Sequence, residues 1–179
     1  ILLTGCSGSV IEGMDISSIG YNSSPLIAND ILVRRNIISS INMIISGNTS
    51  SLTGWVITQN YITSQVRIIG EATKPASCII SNNIFFTGNS AISLTDCIAN
   101  IYNNVILRPN SSTSIAVSLS TNVNAQVYNN IFLGADESGN NFMITSGTGS
   151  SLVHYNNLYE NTIEGVNFIP KVNGGAITN

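Results

Sequence analysis

The sequence predicts an all-β solenoid of about seven coils with a ladder of asparagines at one bend. Three observations predict it. Helix formers are scarce, one short motif returns along the whole chain, and a second apolar segment follows each copy of that motif. The 179 residues suit a single domain, and 43% of them are hydrophobic, enough for a substantial core. Charged residues are only 8%, against about 25% in an ordinary soluble domain, so the composition is the reverse of a disordered chain. Ile, Asn, Ser, Thr and Gly dominate, while Ala, Leu, Lys and Glu are few. That mixture favours strands joined by polar turns.

The repeat has the form apolar-x-x-Asn-x-apolar. Its copies are Val33–Ile38, Ile57–Ile62, Ile80–Phe85, Ile101–Ile106 and Val127–Phe132, with a degenerate last copy at His154–Tyr159. An early copy at Ile11–Ile16 has Met14 where the asparagine belongs. The key positions 14, 36, 60, 83, 104, 130 and 157 lie 21 to 27 residues apart. A propeller blade needs about 40 residues, and no helical segments separate the copies, so one turn of a β-solenoid with about three short strands fits best. The second apolar segments are Ile41–Ile45, Val66–Ile69, Ala91–Leu94, Ile115–Leu119 and Phe142–Ile144, separated from the motifs by turn-forming stretches.

Stacking is what such a repeat requires. One coil cannot bury its own inward face, whereas stacked coils share a continuous core. Each strand then pairs in parallel with its counterpart about 4.8 Å away. The repeated Asn36, Asn60, Asn83, Asn104, Asn130 and Asn157 are expected at a sharp bend, where asparagine tolerates left-handed backbone and its amide both donates and accepts. The coils are expected over residues 1–160, with 161–179 an irregular segment or the start of a cap, and the chain reads as an excerpt of a longer one.

Strand alternation assigns faces. Counting from the key asparagine, positions −3 and +2 point inward and are apolar in nearly every copy; His154 takes the −3 slot of the last copy, where a terminal position near solvent is expected. Position −2 points outward and reads Glu12, Arg34, Thr58, Ser81, Tyr102, Tyr128, Tyr155. The three tyrosines form a ladder that either offers aromatic faces to sugar rings or stiffens neighbouring coils. Position +1 also points outward and reads Asp15, Ile37, Tyr61, Ile84, Val105, Ile131, Leu158, an apolar stripe of the kind that marks an interface.

Several functions are excluded or disfavoured. Six Lys and Arg in a chain of net charge −3 form no basic patch for nucleic acid. No apolar run is long enough to span a membrane. Cys6, Cys78 and Cys97 have no CxxC spacing and His154 stands alone, so no metal or other cofactor is expected. Cys78 and Cys97 lie 19 residues apart, less than one coil, which leaves a bridge between them conceivable. Leu3-Thr4-Gly5-Cys6 has the form of a lipoprotein cleavage box, yet only Ile1 and Leu2 precede it, and a strand entering a turn is the expected reading. Asn22, Asn48 and Asn110 carry the glycosylation tripeptide, as chance allows in so Asn- and Ser-rich a chain.

The Asn-Asn-Ile-Phe and Tyr-Asn-Asn repeats resemble those of the right-handed parallel β-helix of the pectin-lyase-like superfamily, over residues 1 to about 160. The resemblance implies a fold more than an activity, because that superfamily spans polysaccharide lyases, glycoside hydrolases, epimerases, tailspikes and adhesins. Its enzymes resemble one another in working on the outer face of one sheet, with clustered carboxylates beside an Arg or Lys. Hydrolysis of a sugar bond likewise needs two carboxyls about 5–10 Å apart. On the second segment the outward residues are Asn42 and Ile44, Arg67 and Ile69, Ala91 and Ser93, Ala116 and Ser118, Met143 and Thr145, of which only Arg67 is charged. Asp15, Asp30, Asp96 and Asp136 are scattered, and Asp136-Glu137 reads as a solvated loop pair.

The expectation is therefore a non-catalytic module outside the cell or on its surface, serving adhesion, a fibre or tailspike, or glycan contact. Tyr102, Tyr128, Tyr155, Arg34 and Arg67 are its candidate glycan or partner residues. Its partners would be polysaccharide, a second copy or the parent chain. The rival reading is a polysaccharide-processing enzyme whose active residues are few or lie elsewhere.

Overall fold

The computed structural model describes residues 1–3, 5–20, 27–45, 51–88, 90–107, 115–133, 142–160, 171–172 and 175–176. Among them there are strands and turns and no helix. The strands stack in columns that form the sides of a β-solenoid. The first face holds seven parallel strands, Val10–Glu12, Leu32–Arg34, Trp55–Thr58, Ala76–Ser81, Cys97–Tyr102, Asn124–Tyr128 and Ser151–Tyr155. The second face continues from it with Tyr61–Ile62, Ile84–Phe86, Val105–Leu107, Ile131–Leu133 and Leu158–Glu160. The third carries Val66–Ile69, Ile92–Thr95, Val117–Leu119, Phe142–Ser146 and Lys171–Val172. Asp15–Gly20 and Ile37–Ile44 run unbroken through the bend between the second and third faces, which joins those two into one sheet. Gly175–Ala176 pairs antiparallel with Lys171–Val172, whereas the other strand pairs are parallel.

About five turns are complete, fewer than the seven expected. Segments that close several of the coils, 46–50, 108–114 and 134–141 among them, lie outside the described residues. Coil-to-coil register follows the motif throughout: Val33 pairs with Ile57, Ile80 with Ile101, and Ile101 with Val127. The inward columns are as the alternation predicts. Val33, Ile57, Ile80, Ile101 and Val127 are fully buried, as are Ile38, Ile62, Phe85, Ile106 and Phe132. A third inward column tests packing harder. Trp55 pairs with Cys78, Cys78 with Ala99 and Ala99 with Ala125, so one indole lies against a run of small side chains. Its Nε1 donates to the Ala28 carbonyl at 2.6 Å, which satisfies the only polar atom of the largest buried side chain. His154 pairs with Val127 in the last described strand of the first face and is exposed.

The corner between first and second faces departs from expectation in an instructive way. The left-handed residue is the one before the ladder asparagine: Gly13, Arg35, Gln59, Asn82, Asn103, Asn129 and Asn156 have φ between 52° and 71°. The two asparagines of each Asn-Asn pair thus divide the work. The first takes the strained backbone, which asparagine tolerates better than most residues. The second turns its amide into the solenoid, where Asn36, Asn60, Asn83, Asn104 and Asn130 are buried.

Each buried amide ties three coils. The Asn60 Oδ1 accepts from both the backbone N–H and the Nδ2 of Asn36, at 3.1 Å each. Its own backbone N–H and Nδ2 donate onward to the Asn83 Oδ1 at 2.9 and 3.0 Å. Its Nδ2 also reaches back to the Val33 carbonyl of the previous coil at 3.0 Å. The same pattern repeats from Asn83 to Asn104, Asn104 to Asn130 and Asn130 to Asn157. It starts at Met14, whose backbone N–H donates to the Asn36 Oδ1 at 2.9 Å although its side chain cannot join.

A second left-handed corner precedes the first face, at Asp30, Gly54, Asp96, Asn122 and Gly149. At Gly54 a Cβ would clash only with the Asp30 carboxylate, which can turn aside, so it is the positive φ that calls for glycine there. Asn122 Nδ2 donates to Asp96 Oδ1 at 2.9 Å, a lesser echo of the ladder.

The two roles within the Asn-Asn pairs separate on mutation. Asn104→Ala leaves the Asn83 backbone N–H and an amide hydrogen buried without acceptors, and should cost about 3–5 kcal/mol in urea unfolding. Asn103→Gly should be near neutral and Asn103→Val should cost about 1–2 kcal/mol, because only the backbone angle is at stake.

Candidate functional site

The outer surface of the first face carries the tyrosine ladder. Tyr102 pairs with Tyr128 and Tyr128 with Tyr155, each just before a left-handed asparagine. The rings stack with centroids 5.1 and 5.0 Å apart and planes within 10° and 3° of parallel. That separation is the coil spacing. Carbon atoms in contact lie about 3.5–4 Å apart, so parallel rings at 5 Å must slide over one another in an offset stack. Each ring therefore covers much of its neighbour's face. Of the two expected arrangements, the stacking of ring on ring is the one that these distances describe. Neighbours also hold the Tyr128 phenol above its ordinary range, first by excluding water from it and then through the phenols of Tyr102 and Tyr155.

The same column changes character toward the first coils. Ser81 points outward by alternation yet is buried between Thr58 and Tyr102; its hydroxyl donates to Thr58 Oγ1 at 3.2 Å. Beyond Thr58 stands an ion cluster. Arg34 holds Glu12 at 2.9 Å and Arg35, at the bend, holds the other carboxylate oxygen at 3.1 Å. The Arg34 guanidinium, followed by those charges and Arg35, holds the Glu12 carboxyl below its ordinary range despite some desolvation. Arg34 Nε is buried without a partner. Arg34 is thus committed to Glu12 in large part. It lies three strands from Tyr102 along the column, about 14 Å.

Arg67 is on a different side of the solenoid. It faces outward from the third face between Asn42 and Ser93, followed by Ser118 and Thr145. Neither ion pair among the described residues involves it. Its strand neighbours offer amide and hydroxyl groups, which can hold a sugar hydroxyl but supply no carboxylate to give or take a proton. Two of the expected outward neighbours are corrected: Ala91 and Ala116 are fully buried. They belong to the bend, where Ala91 and Ile92 both donate to the Ala116 carbonyl, and the alternating strand begins only at Ile92 and Val117. Asp136, Glu137, Asn22, Asn48 and Asn110 lie outside the described residues. The Met143 side chain likewise lies outside what the structure describes.

The apolar stripe lies on the second face. Ile37 pairs with Tyr61, Tyr61 with Ile84, then Val105, Ile131 and Leu158 follow in register. Ile37 is 53%, Ile84 44% and Leu158 55% exposed, Tyr61 is exposed, and Val105 and Ile131 are half-buried. Sequence reasoning missed a second column beside it. Phe86, Leu107 and Leu133 pair in register two residues further along their strands, with Phe86 45% exposed. The signal was present, since alternation from +1 leads directly to +3. The earlier coils have Ser39 and Thr63 at that position, and these hid it.

No protein-family model, curated protein or solved structure matches the chain.

Because the Tyr128 phenol is raised, its neutral form is the one the fold favours. Stability is full below the ordinary phenol range near pH 10 and falls as pH rises through the folded value. Absorbance titration should show one phenol ionising later than the rest, and Tyr102→Phe with Tyr155→Phe should bring it back toward them.

Proposed function

We propose that the protein is a non-catalytic β-helical module, akin to the pectin-lyase-like superfamily, that works outside the cell by surface contact as part of an adhesin or fibre. The observation that carries this reading is the two-column apolar band on the second face. Its side chains point away from the core, on strands whose backbones pair with neighbouring coils. Exposed apolar bands of this extent mark contact surfaces. Here the band repeats at the coil spacing, as a surface that meets another sheet or an extended polymer would. The stacked tyrosines suit weaker contact with hydroxyl-rich partners such as glycans. Few charges compete for water on these faces, in keeping with 8% charged residues. A polysaccharide-processing activity would be favoured by a carboxylate pair beside Arg67, where Asn42 and Ser93 stand.

Light scattering after size-exclusion chromatography tests the band. The wild-type chain should associate with rising concentration, and the double variant Ile84→Lys, Phe86→Lys should stay monomeric while keeping its β-rich circular dichroism. A wild-type chain that is monomeric throughout the concentration range would sink the reading.

A further inference from the structure

The sulfurs of Cys78 and Cys97 lie 3.8 Å apart, both buried in the core. They sit on consecutive strands of the first face, Ala76–Ser81 and Cys97–Tyr102, the fourth and fifth of its seven. Cys97 pairs with Ala76 and Cys78 with Ala99, so the two thiols meet diagonally across one coil junction. Both are free, as is Cys6, which lies half-buried in the separate short strand Cys6–Ser7. Cys78 borders a shallow surface depression of about 190 Å³, together with Gly54, Ser77, Ile98 and Asn100.

We propose that this pair is a redox-operated staple: Cys78 and Cys97 close into a disulfide that locks the middle coil junction of the solenoid. Closure brings the sulfurs from 3.8 Å to about 2.05 Å. Because Cys97 pairs with Ala76, two residues from Cys78, the Cα atoms lie about 8 Å apart, so closure also draws the two strands together at this junction. The oxidant is a small-molecule disulfide entering by thiol–disulfide exchange. The contact with Cys97 and then burial hold the Cys78 thiol well above its ordinary range, so it must first give its proton to solvent; the thiolate then attacks one sulfur of that molecule and expels its other half as a thiol. The Cys97 thiolate then attacks the Cys78 sulfur of the mixed disulfide and expels the second half. Two protein thiols become one disulfide, the small disulfide becomes two thiols, and no metal or oxygen is needed. Both thiols point into the core, so the reagent reaches Cys78 when this coil junction opens locally, and the fully buried Cys97 is the resolving partner. The loop so closed spans less than one coil, yet it joins the earlier coils to the later ones at their midpoint.

The pair also carries its own reporter. Trp55, the single tryptophan, is buried on the next strand and pairs with Cys78. The test uses the full chain carrying Cys6→Ser, incubated with oxidised glutathione. The expected result is a mass lower by two hydrogens, loss of both titratable thiols in denaturant, and quenching of the Trp55 emission, all reversed by a dithiol reductant. The melting temperature should rise by roughly 5–10 °C on closure. Cys78→Ala should leave the chain unreactive, and Cys97→Ala should stop at the mixed glutathione adduct. Should either variant fail to fold, the thiol count of the Cys6→Ser chain still decides. Two thiols remaining after prolonged oxidation would overturn the staple, as would oxidation that ends in two glutathione adducts without an internal bond.

Discussion

The side-chain amides of Asn36 to Asn157 do what the backbone at the first corner cannot. A left-handed residue there swings the chain out of the sheet, and the carbonyls at position −3 would face the core without a complete set of donors. Each ladder amide supplies one of those donors while joining its own coil to the next. A buried polar group is tolerable only when it is satisfied, and in this column the Oδ1 acceptors are satisfied by the neighbouring coil, although some amides also donate to a carbonyl of their own coil. Register, burial of the apolar columns and the pairing of the outer faces all follow from it. This is also why coils of different length coexist: the 21 to 27 residues between ladder positions vary in the segments that connect the strands, whereas the ladder fixes one point of every coil.

Much of this was legible in the sequence. The recurrent asparagine gave the repeat, and the alternation around it gave two inward columns and two outward ones. What escaped reading was local. The sequence cannot say which asparagine of a pair bends and which one bonds, because both roles suit the residue; only the copies with Arg35 and Gln59 in the first slot hint that the second slot, asparagine in every copy but that of Met14, is the one that bonds. Ala91 and Ala116 escaped for a similar reason, since a bend places two consecutive residues inward and breaks the period of two. The orientation of the tyrosine rings was beyond sequence altogether, being set by how rings pack at a spacing fixed by the strands.

The outer faces divide by chemistry along the axis as well as around it. The column that ends in stacked tyrosines begins in a salt-bridged cluster around Glu12, with small hydroxyl side chains between. Arg67 stands apart on the third face, and the apolar band occupies the second. No single groove gathers the candidate residues. A protein that works through such surfaces is read by large partners, which can touch several coils at once, more readily than by a small molecule.

The ladder also has a sense of direction. Every ladder Oδ1 accepts from the coil before it, and the backbone N–H groups at the ladder position from Met14 to Asn130 donate to the coil after them. The solenoid is therefore an arrow with unlike ends. Whole coils can be duplicated or lost in the course of evolution without disturbing the arrangement, because each brings one acceptor and one set of donors in the same orientation. Joining two such stacks head to head would set like groups against each other at the junction, so lengthening is vectorial by construction.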